Sequence, residues 1–328
     1  MLIDNHNRII NYVRLAVTDR CNLRCFYCMP EEGINYVKRD ALLSYEEMLR
    51  LMTILAQNGI EKIRITGGEP FLRKGMFEFL ERLSAVDGLK QMHITTNGTL
   101  TKGKVGLLKE MGINSMNLSL DSLDKQRFFD ITRRDEFEKV MDTLDEMLEV
   151  GMQTKINCVV MEGQNIADIL PMVELAKDKP VSVRFIEEMP FNGTGDHPEN
   201  LKWTSANTKE YIQQTYPGLQ KIVDEKNSTS SNYTIPGFKG SVGFIAAYSR
   251  LFCGSCNRIR ITPQGMMKTC LYDDGVFNVR DIMRNGASDQ EVLLAIQSAI
   301  GSRAKDGFEA EKNRNNKFIS ESMATIGG

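Results

Sequence analysis

The chain has 328 residues, 41% of them hydrophobic and 26% charged, with a formal net charge of −2. That length can bury one large core or two unequal ones, and the balance is ordinary for a globular protein. It offers no global basic field for nucleic acid, no apolar run long enough to span a bilayer, and no secretory h-region in Met1 to Arg8, so a cytoplasmic protein that engages neither nucleic acid nor membrane is expected.

Residues 12–17 read as the first strand, and Cys21, Cys25 and Cys28 follow at once in a C-x3-C-x2-C spacing. Three closely spaced thiolates can hold three corners of a [4Fe–4S] cluster and leave the fourth iron open. A closed zinc site wants four ligands; none of the three histidines, His6, His93 and His197, lies inside the motif. Further strands read over 62–66, 91–95, 115–120, 154–160 and 181–186. Met48, Leu51, Met52 and Leu55 share a helix face behind a Ser44/Glu47 capping box. Val140, Met141, Leu144, Met147 and Leu148 share another, opened by Asp135. Gly59, Gly112 and Gly151 stand where left-handed C-caps are expected. Six βα units imply a parallel sheet. Six strands fall short of the usual eight-stranded barrel, so an α/β fold is expected: an open, partial TIM-type barrel over 1–190.

Alternate residues of a strand face opposite sides. One parity is apolar throughout: Leu15, Val17, Ile63, Ile65, Met92, Ile94, Met116, Leu118, Ile156, Cys158, Val183 and Phe185. The other is polar: Arg14, Arg64, Thr66, His93, Thr95, Asn117, Ser119, Lys155, Asn157, Ser182 and Arg184. Parallel strands buried on both faces should be apolar nearly throughout, so the polar parity faces a lumen. A dry, empty lumen lined by Arg14, Arg64, Lys155 and Arg184 would be prohibitively costly; it holds water and an anionic ligand on this reading.

After Pro190 the pattern changes. Residues 191–203 read as a loop, 219–226, 232–235 and 241–248 as short strands, and 289–305 as a helix. This α+β region, 191–328, is expected to cover the open side of the barrel. It carries a second thiol set, Cys253 and Cys256 in C-x2-C spacing with Cys270 thirteen residues on. Cys158 is read as a small core residue. The odd total of seven cysteines argues against a disulfide framework. Arg258 and Arg260, two apart on an extended segment, would point the same way, and arginine's planar fork matches phosphate oxygens.

The aromatic Tyr27 before the last cysteine of the first set, and the run Gly67-Gly68-Glu69-Pro70 past the second strand, resemble the radical S-adenosylmethionine (SAM) superfamily. The second set, in Phe-Cys-Gly-Ser-Cys-Asn-Arg-Ile-Arg-Ile-Thr, and the terminal Gly327-Gly328 narrow the resemblance to the GTP 3′,8-cyclase family of molybdenum cofactor biosynthesis. The resemblance implies two [4Fe–4S] clusters, on Cys21, Cys25 and Cys28 and on Cys253, Cys256 and Cys270. It implies SAM contacts at Tyr27, Gly68, Ser119 and Met189, and GTP contacts at Arg14, Arg64, Thr95, Lys155, Arg184, Arg258, Ile259 and Arg260. It places Gly327 and Gly328 near the substrate. The implied chemistry is hydrogen abstraction from C3′ of GTP by a 5′-deoxyadenosyl radical, attack on C8 and reduction. The product would pass to a cyclic pyranopterin monophosphate synthase, and the electrons would come from an external donor. Glu188 and Ala324 depart from the family pattern. The residues alone leave two alternatives: another radical SAM enzyme with an auxiliary cluster, and a non-catalytic metal or electron-transfer module. Oligomeric state stays open, a homodimer included.

Overall fold

The structure is a computed structural model and describes residues 1–194, 201, 203–315, 319 and 321–327. A short antiparallel hairpin, β1 (Leu2–Ile3) and β2 (Ile9–Ile10), precedes the main sheet. Six strands then alternate with helices: β3 (Tyr12–Ala16), α1 (Tyr45–Gln57), β4 (Lys62–Thr66), α2 (Met76–Ser84), β5 (Gln91–Thr96), α3 (Val105–Glu110) and β6 (Ile113–Ser119). They continue through α4 (Lys125–Thr132), α5 (Phe137–Glu149), β7 (Gln153–Val160), α6 (Ile169–Asp178) and β8 (Val181–Glu187). The second half supplies α7 (Ser205–Thr215), β9 (Gln220–Lys221), β10 (Ser231–Thr234), β11 (Ser241–Ile245), β12 (Arg258–Ile261), β13 (Met266–Lys268) and β14 (Phe277–Asn278). It closes with α8 (Val279–Arg284), α9 (Asp289–Gly301), α10 (Gly307–Lys312) and α11 (Met323–Ile326).

The sheet runs β14-β13-β12-β3-β4-β5-β6-β7-β8-β11-β10-β9. The six expected strands lie side by side in chain order and in parallel. The second half adds β12 parallel to β3 at one side and β11 parallel to β8 at the other. Eight neighbouring strands are therefore parallel, the number of a closed barrel, but the sheet ends at β14 and β9 and stays open. The second half thus extends both edges of the sheet, an arrangement that strand periodicity cannot reveal because register between distant segments is not written in either one.

The apolar parity packs as expected. Leu15, Ile63, Ile65, Ile94, Met116, Leu118, Ile156 and Val183 are fully buried, in one cluster with Met48, Leu51, Met52 and Leu55 of α1 and Val140, Leu144 and Met147 of α5. Helix α1 carries the Ser44/Glu47 capping box, with both reciprocal hydrogen bonds formed. Helix α5 starts at Phe137 behind Glu136, one residue later than a cap at Asp135 suggested. Gly59, Gly112 and Gly151 have φ of +99°, +85° and +64°, the left-handed conformation that a helix end favours in glycine.

The second half departs further from the reading. Strand β9 covers only Gln220–Lys221 of the expected 219–226, β11 ends at Ile245, and α9 stops at Gly301. Residues 195–200 and 202 of the expected loop lie outside the described residues.

Candidate active site

The cysteine loop is fixed by backbone contact with the Gly-Gly-Glu-Pro run. Gly68 N donates to Thr18 O at 2.8 Å and Glu69 N to Arg20 O at 2.8 Å. A Cβ on Gly67, whose φ is +137°, would lie 2.3 Å from Thr18 O, and one on Gly68 2.2 Å from Arg20 O. The two glycines are needed because the chain's own loop occupies the space that side chains would take. Gly68→Ala is expected to push the 18–21 segment away, with an overpacking cost of about 1–3 kcal/mol. Reconstituted iron should fall selectively at the first cysteine set, read by iron analysis beside thermal unfolding.

Glu69 ties this loop to the end of β5. It is buried and accepts hydrogen bonds from Thr96 Oγ1 (2.9 Å), Asn97 N (2.7 Å) and Phe71 N (3.1 Å). Burial pushes its carboxyl up to about 7, and those donors hold it from rising further. Asn97 Nδ2 reaches Cys21 Sγ at 3.6 Å. Tyr27 donates through its hydroxyl to Asp121 at 2.8 Å, and Asp121 also accepts from Val159 N. Neither Glu69, Asn97 nor Asp121 was singled out as a site residue in the sequence, although each lies at a strand end where barrel sites are built.

All seven cysteines are free. Cys21, Cys25, Cys28, Cys253, Cys256 and Cys270 line one cavity of about 570 Å³, while Cys158 is buried in the core as expected. Among the described residues no three Cys, His or carboxylate groups converge closely enough for a single ion. Separated thiols that face one space suit a larger group with one iron per thiolate better than a zinc ion. Burial raises the Cys21 thiol to about 12 and the Cys28 thiol to about 11, and holds Cys25 well above its ordinary value. Such thiols become ligands when a metal supplies the positive charge that ionises them. Cys256 differs: burial raises it, but the guanidinium groups of Arg258 and Arg303 outweigh burial and bring it down to about 6.

The same cavity is lined by Arg14, Arg64, Thr95, Lys155, Arg184, Arg258 and Arg260, and by Tyr27, Gly68, Ser119 and Met189. Strand register explains the convergence. Arg260, Arg14, Arg64 and His93 are successive partners across β12, β3, β4 and β5. Thr95, Asn117 and Lys155 form a second row across β5, β6 and β7, and Ser119, Asn157 and Arg184 a third. Ile259 is the exception among the expected residues. It has the opposite parity, its side chain is fully buried in the core, and it is not among the residues that line the cavity. Tyr12 shares the parity of Arg14 and should have been read with it: its hydroxyl accepts from Arg64 Nε at 2.7 Å.

The cations repel one another. Burial and then Arg260 hold Arg14 well below its usual range, and burial and neighbouring charge bring Arg184 and Arg260 to about 10 and Lys155 to about 8. Burial and the same cations push His93 down to about 2, so its imidazole is neutral. Among the described residues, the buried Nε of Arg184 and Oδ1 of Asn117 and Asn157 have no hydrogen-bond partner, and such groups are costly unless a ligand satisfies them. A polyanion with several acceptor oxygens answers the repulsion and the Arg184 donor, and the two amide oxygens call for a ligand that also carries hydroxyl or amino donors.

The C-terminal tail enters beside these groups. Ser322 caps α11 and donates to Cys28 O at 2.7 Å. Ile326 packs with Phe191, Tyr272, Ala310 and Ile319, and Met323 lies against them. Gly327 O accepts from Arg260 at 2.5 Å, and its Cα faces Ala16 and Thr66. Gly328 lies outside the described residues. Ala324 is buried, and burial raises the Glu188 carboxyl.

Known proteins match this arrangement. The Radical SAM superfamily profile matches residues 15–176, and the Molybdenum Cofactor Synthesis C profile matches residues 181–308. The GTP 3′,8-cyclase of Syntrophomonas wolfei is 41% identical over 328 residues, covering 100% of both chains. The mitochondrial GTP 3′,8-cyclase of Arabidopsis thaliana is 41% identical, covering 100% of this chain and 84% of its own. Molybdenum cofactor biosynthesis protein 1 of Dictyostelium discoideum is 41% identical over 97% of this chain and 52% of its own, so the chain spans about half the length of relatives of that kind. Among solved structures, Streptococcus suis SuiB superposes with a TM-score of 0.63 over 92% of this chain and 68% of its own, at 16% identity, a likeness of fold. The superfamily implies one [4Fe–4S] cluster with SAM, and the thiols of Cys21, Cys25 and Cys28 fit that cluster. No helix among the described residues is long and apolar enough to cross a membrane. Full-length identity together with the two matched profiles places this chain in the radical SAM superfamily and, within it, in the GTP 3′,8-cyclase family.

Proposed function

We propose that the chain is a lyase that converts GTP to 3′,8-cyclo-7,8-dihydro-GTP, the first step of molybdenum cofactor biosynthesis. One observation carries this reading: two three-cysteine sets line one cavity together with Arg14, Arg64, Lys155, Arg184, Arg258 and Arg260. Hydrogen leaves C3′, a C3′–C8 bond forms, and one electron and one proton complete a product with the mass of GTP. When bound, a cluster with SAM supplies a primary carbon radical able to take hydrogen from unactivated carbon.

In this reading Cys21, Cys25 and Cys28 hold the first cluster, and Cys253, Cys256 and Cys270 a second. Tyr27, Gly68, Ser119 and Met189 border SAM. Arg14, Arg64, Lys155, Arg184, Arg258 and Arg260 hold the triphosphate, with Thr95 alongside. Residues 1–190 supply the radical site, and 191–328 the second cluster and the tail with Gly327 and Gly328. An external donor supplies electrons, and a cyclic pyranopterin monophosphate synthase takes the product. The basic cavity disfavours a peptide substrate, and the low net charge disfavours RNA.

Anaerobic reconstitution with SAM, reductant and each of the four nucleoside triphosphates tests the proposal. GTP alone should give a cyclised isomer; cyclisation of another nucleotide in its place, or none, would sink it. A pH dependence follows from Lys155. In the ligand-free protein its ammonium is lost as pH rises through about 8, and the protonated form is the one that attracts phosphate. GTP affinity should therefore weaken above that pH, and Lys155→Arg should remove that share of the curve. What remains is the share of Tyr12 in the same cavity, whose phenol burial raises but Arg64 and Arg14 bring down to about 7. Calorimetric titrations of both proteins from pH 7 to 9 check this.

A further inference from the structure

The two cysteine sets differ in what touches their sulfurs. Around the first set the side-chain partners of the sulfurs are neutral: the Asn97 amide donates to Cys21, and the Ser322 hydroxyl, which donates to Cys28 O, lies 4.0 Å from Cys28 Sγ. Around the second, Cys253 and Cys270 meet backbone N–H groups of Gly307 and Tyr272, but Cys256 meets two guanidinium groups. Arg258 reaches its Sγ at 3.5 Å and Arg303 at 3.0 Å.

Arg303 is the better placed of the two. Its other terminal nitrogen donates to Cys256 O at 2.9 Å, so the fork grips the residue at both ends. Its side chain is 3% exposed and pairs with Asp4, 0% exposed, at 3.6 Å. Asp4 is held in turn by Arg8 Nε at 2.6 Å and by the backbone N–H groups of His6 and Arg8 at 2.9 Å. Arg8 also donates to Cys253 O at 3.2 Å and to the carbonyls of Ala304 and Lys305. The loop between β1 and β2 thus clamps the second thiol loop and fixes the guanidinium against one sulfur.

We infer that Arg303 is a positioning residue that sets the reduction potential of the second cluster and poises it above the first. Hydrogen bonds to cluster sulfurs and nearby positive charge stabilise the form carrying one extra electron, and charge-assisted donors do so most strongly. The neutral surroundings of the first set leave its potential low. This inference rests on the proposed assignment of a second cluster to Cys253, Cys256 and Cys270.

Chains with Cys21, Cys25 and Cys28 all replaced by Ala isolate the second cluster, and chains with Cys253, Cys256 and Cys270 replaced isolate the first. Redox titration with EPR detection should place the second midpoint above the first. Arg303→Gln in the first background should move the second midpoint more negative by at least tenfold in the reduction equilibrium, about 59 mV for one electron. An unchanged midpoint at unchanged iron content overturns the inference, as does a second midpoint below the first in the parent chains. If Arg303→Gln holds no iron, Arg303→Lys decides, because lysine cannot grip Sγ and O together: a more negative midpoint supports the inference and an unchanged one overturns it. Absence of iron from the parent that lacks Cys21, Cys25 and Cys28 would instead remove the second-cluster assignment, and this inference with it.

Discussion

Replacing Cys21, Cys25 and Cys28 together by Ala is expected to remove about four irons per chain and leave about four, one cluster of two. SAM cleavage should vanish. Replacing Cys253, Cys256 and Cys270 should remove a similar amount of iron, spare some SAM cleavage and stop cyclisation. The asymmetry follows from the surroundings. The first set sits against the Gly67–Gly68 backbone, where the loop from Thr18 to Cys21 is pinned by paired hydrogen bonds. The second lies beside Arg258 and Arg260, on the cationic side of the same cavity. Iron content, 5′-deoxyadenosine and cyclised nucleotide are measured on one preparation. Continued release of 5′-deoxyadenosine from the first triple variant would move the radical site elsewhere.

Gly327→Ala, alone or with Gly328→Ala, should separate SAM cleavage from cyclisation. A chain end is usually frayed and dispensable, but here the segment before it is anchored. Glu321 pairs with Lys268, 1% exposed, at 2.8 Å and with Arg314 at 3.0 Å. Gly327 has a φ of +78°, and a Cβ there would lie 3.0 Å from Thr66 Cγ2 and 3.2 Å from Ala16 Cβ. A left-handed conformation costs a non-glycine residue roughly 1–2 kcal/mol. The added methyl should therefore shift the carbonyl that Arg260 grips. Iron, GTP affinity and 5′-deoxyadenosine should stay near wild type, while cyclised product falls at least tenfold, or about 1.4 kcal/mol in the barrier. Normal product yield would return the tail to the frayed state. Loss of iron or of GTP affinity would assign it to stability or binding.

Much of the site was legible because strand parity is a local property. Arg14, Arg64, Lys155 and Arg184 were assigned to one lumen from alternation alone, and the register aligns β3 with β4 and β7 with β8 residue by residue. The same rule, applied one residue earlier, would have included Tyr12. The cysteine spacings were legible for the same reason: each set is largely a local motif. What could not be read depends on contacts between distant segments. Arg303 reaches Cys256 from 47 positions away, and nothing in the segment around it marks a ligand. The β1–β2 hairpin, too short for a periodic signal, escaped notice although Asp4 and Arg8 brace the second thiol loop. The pairing of β12 with β3 and of β11 with β8 turns six expected parallel strands into eight; hydrophobic patterning sets the face of a strand but not its neighbour.

The central claim is that one cavity brings a radical source to the ribose of GTP. Anaerobic turnover of GTP carrying deuterium at C3′, with SAM and a low-potential reductant, tests it most directly. The expected result is deuterium in 5′-deoxyadenosine, in step with its loss from the cyclised nucleotide. Release of unlabelled 5′-deoxyadenosine while the nucleotide keeps its deuterium would contradict the account.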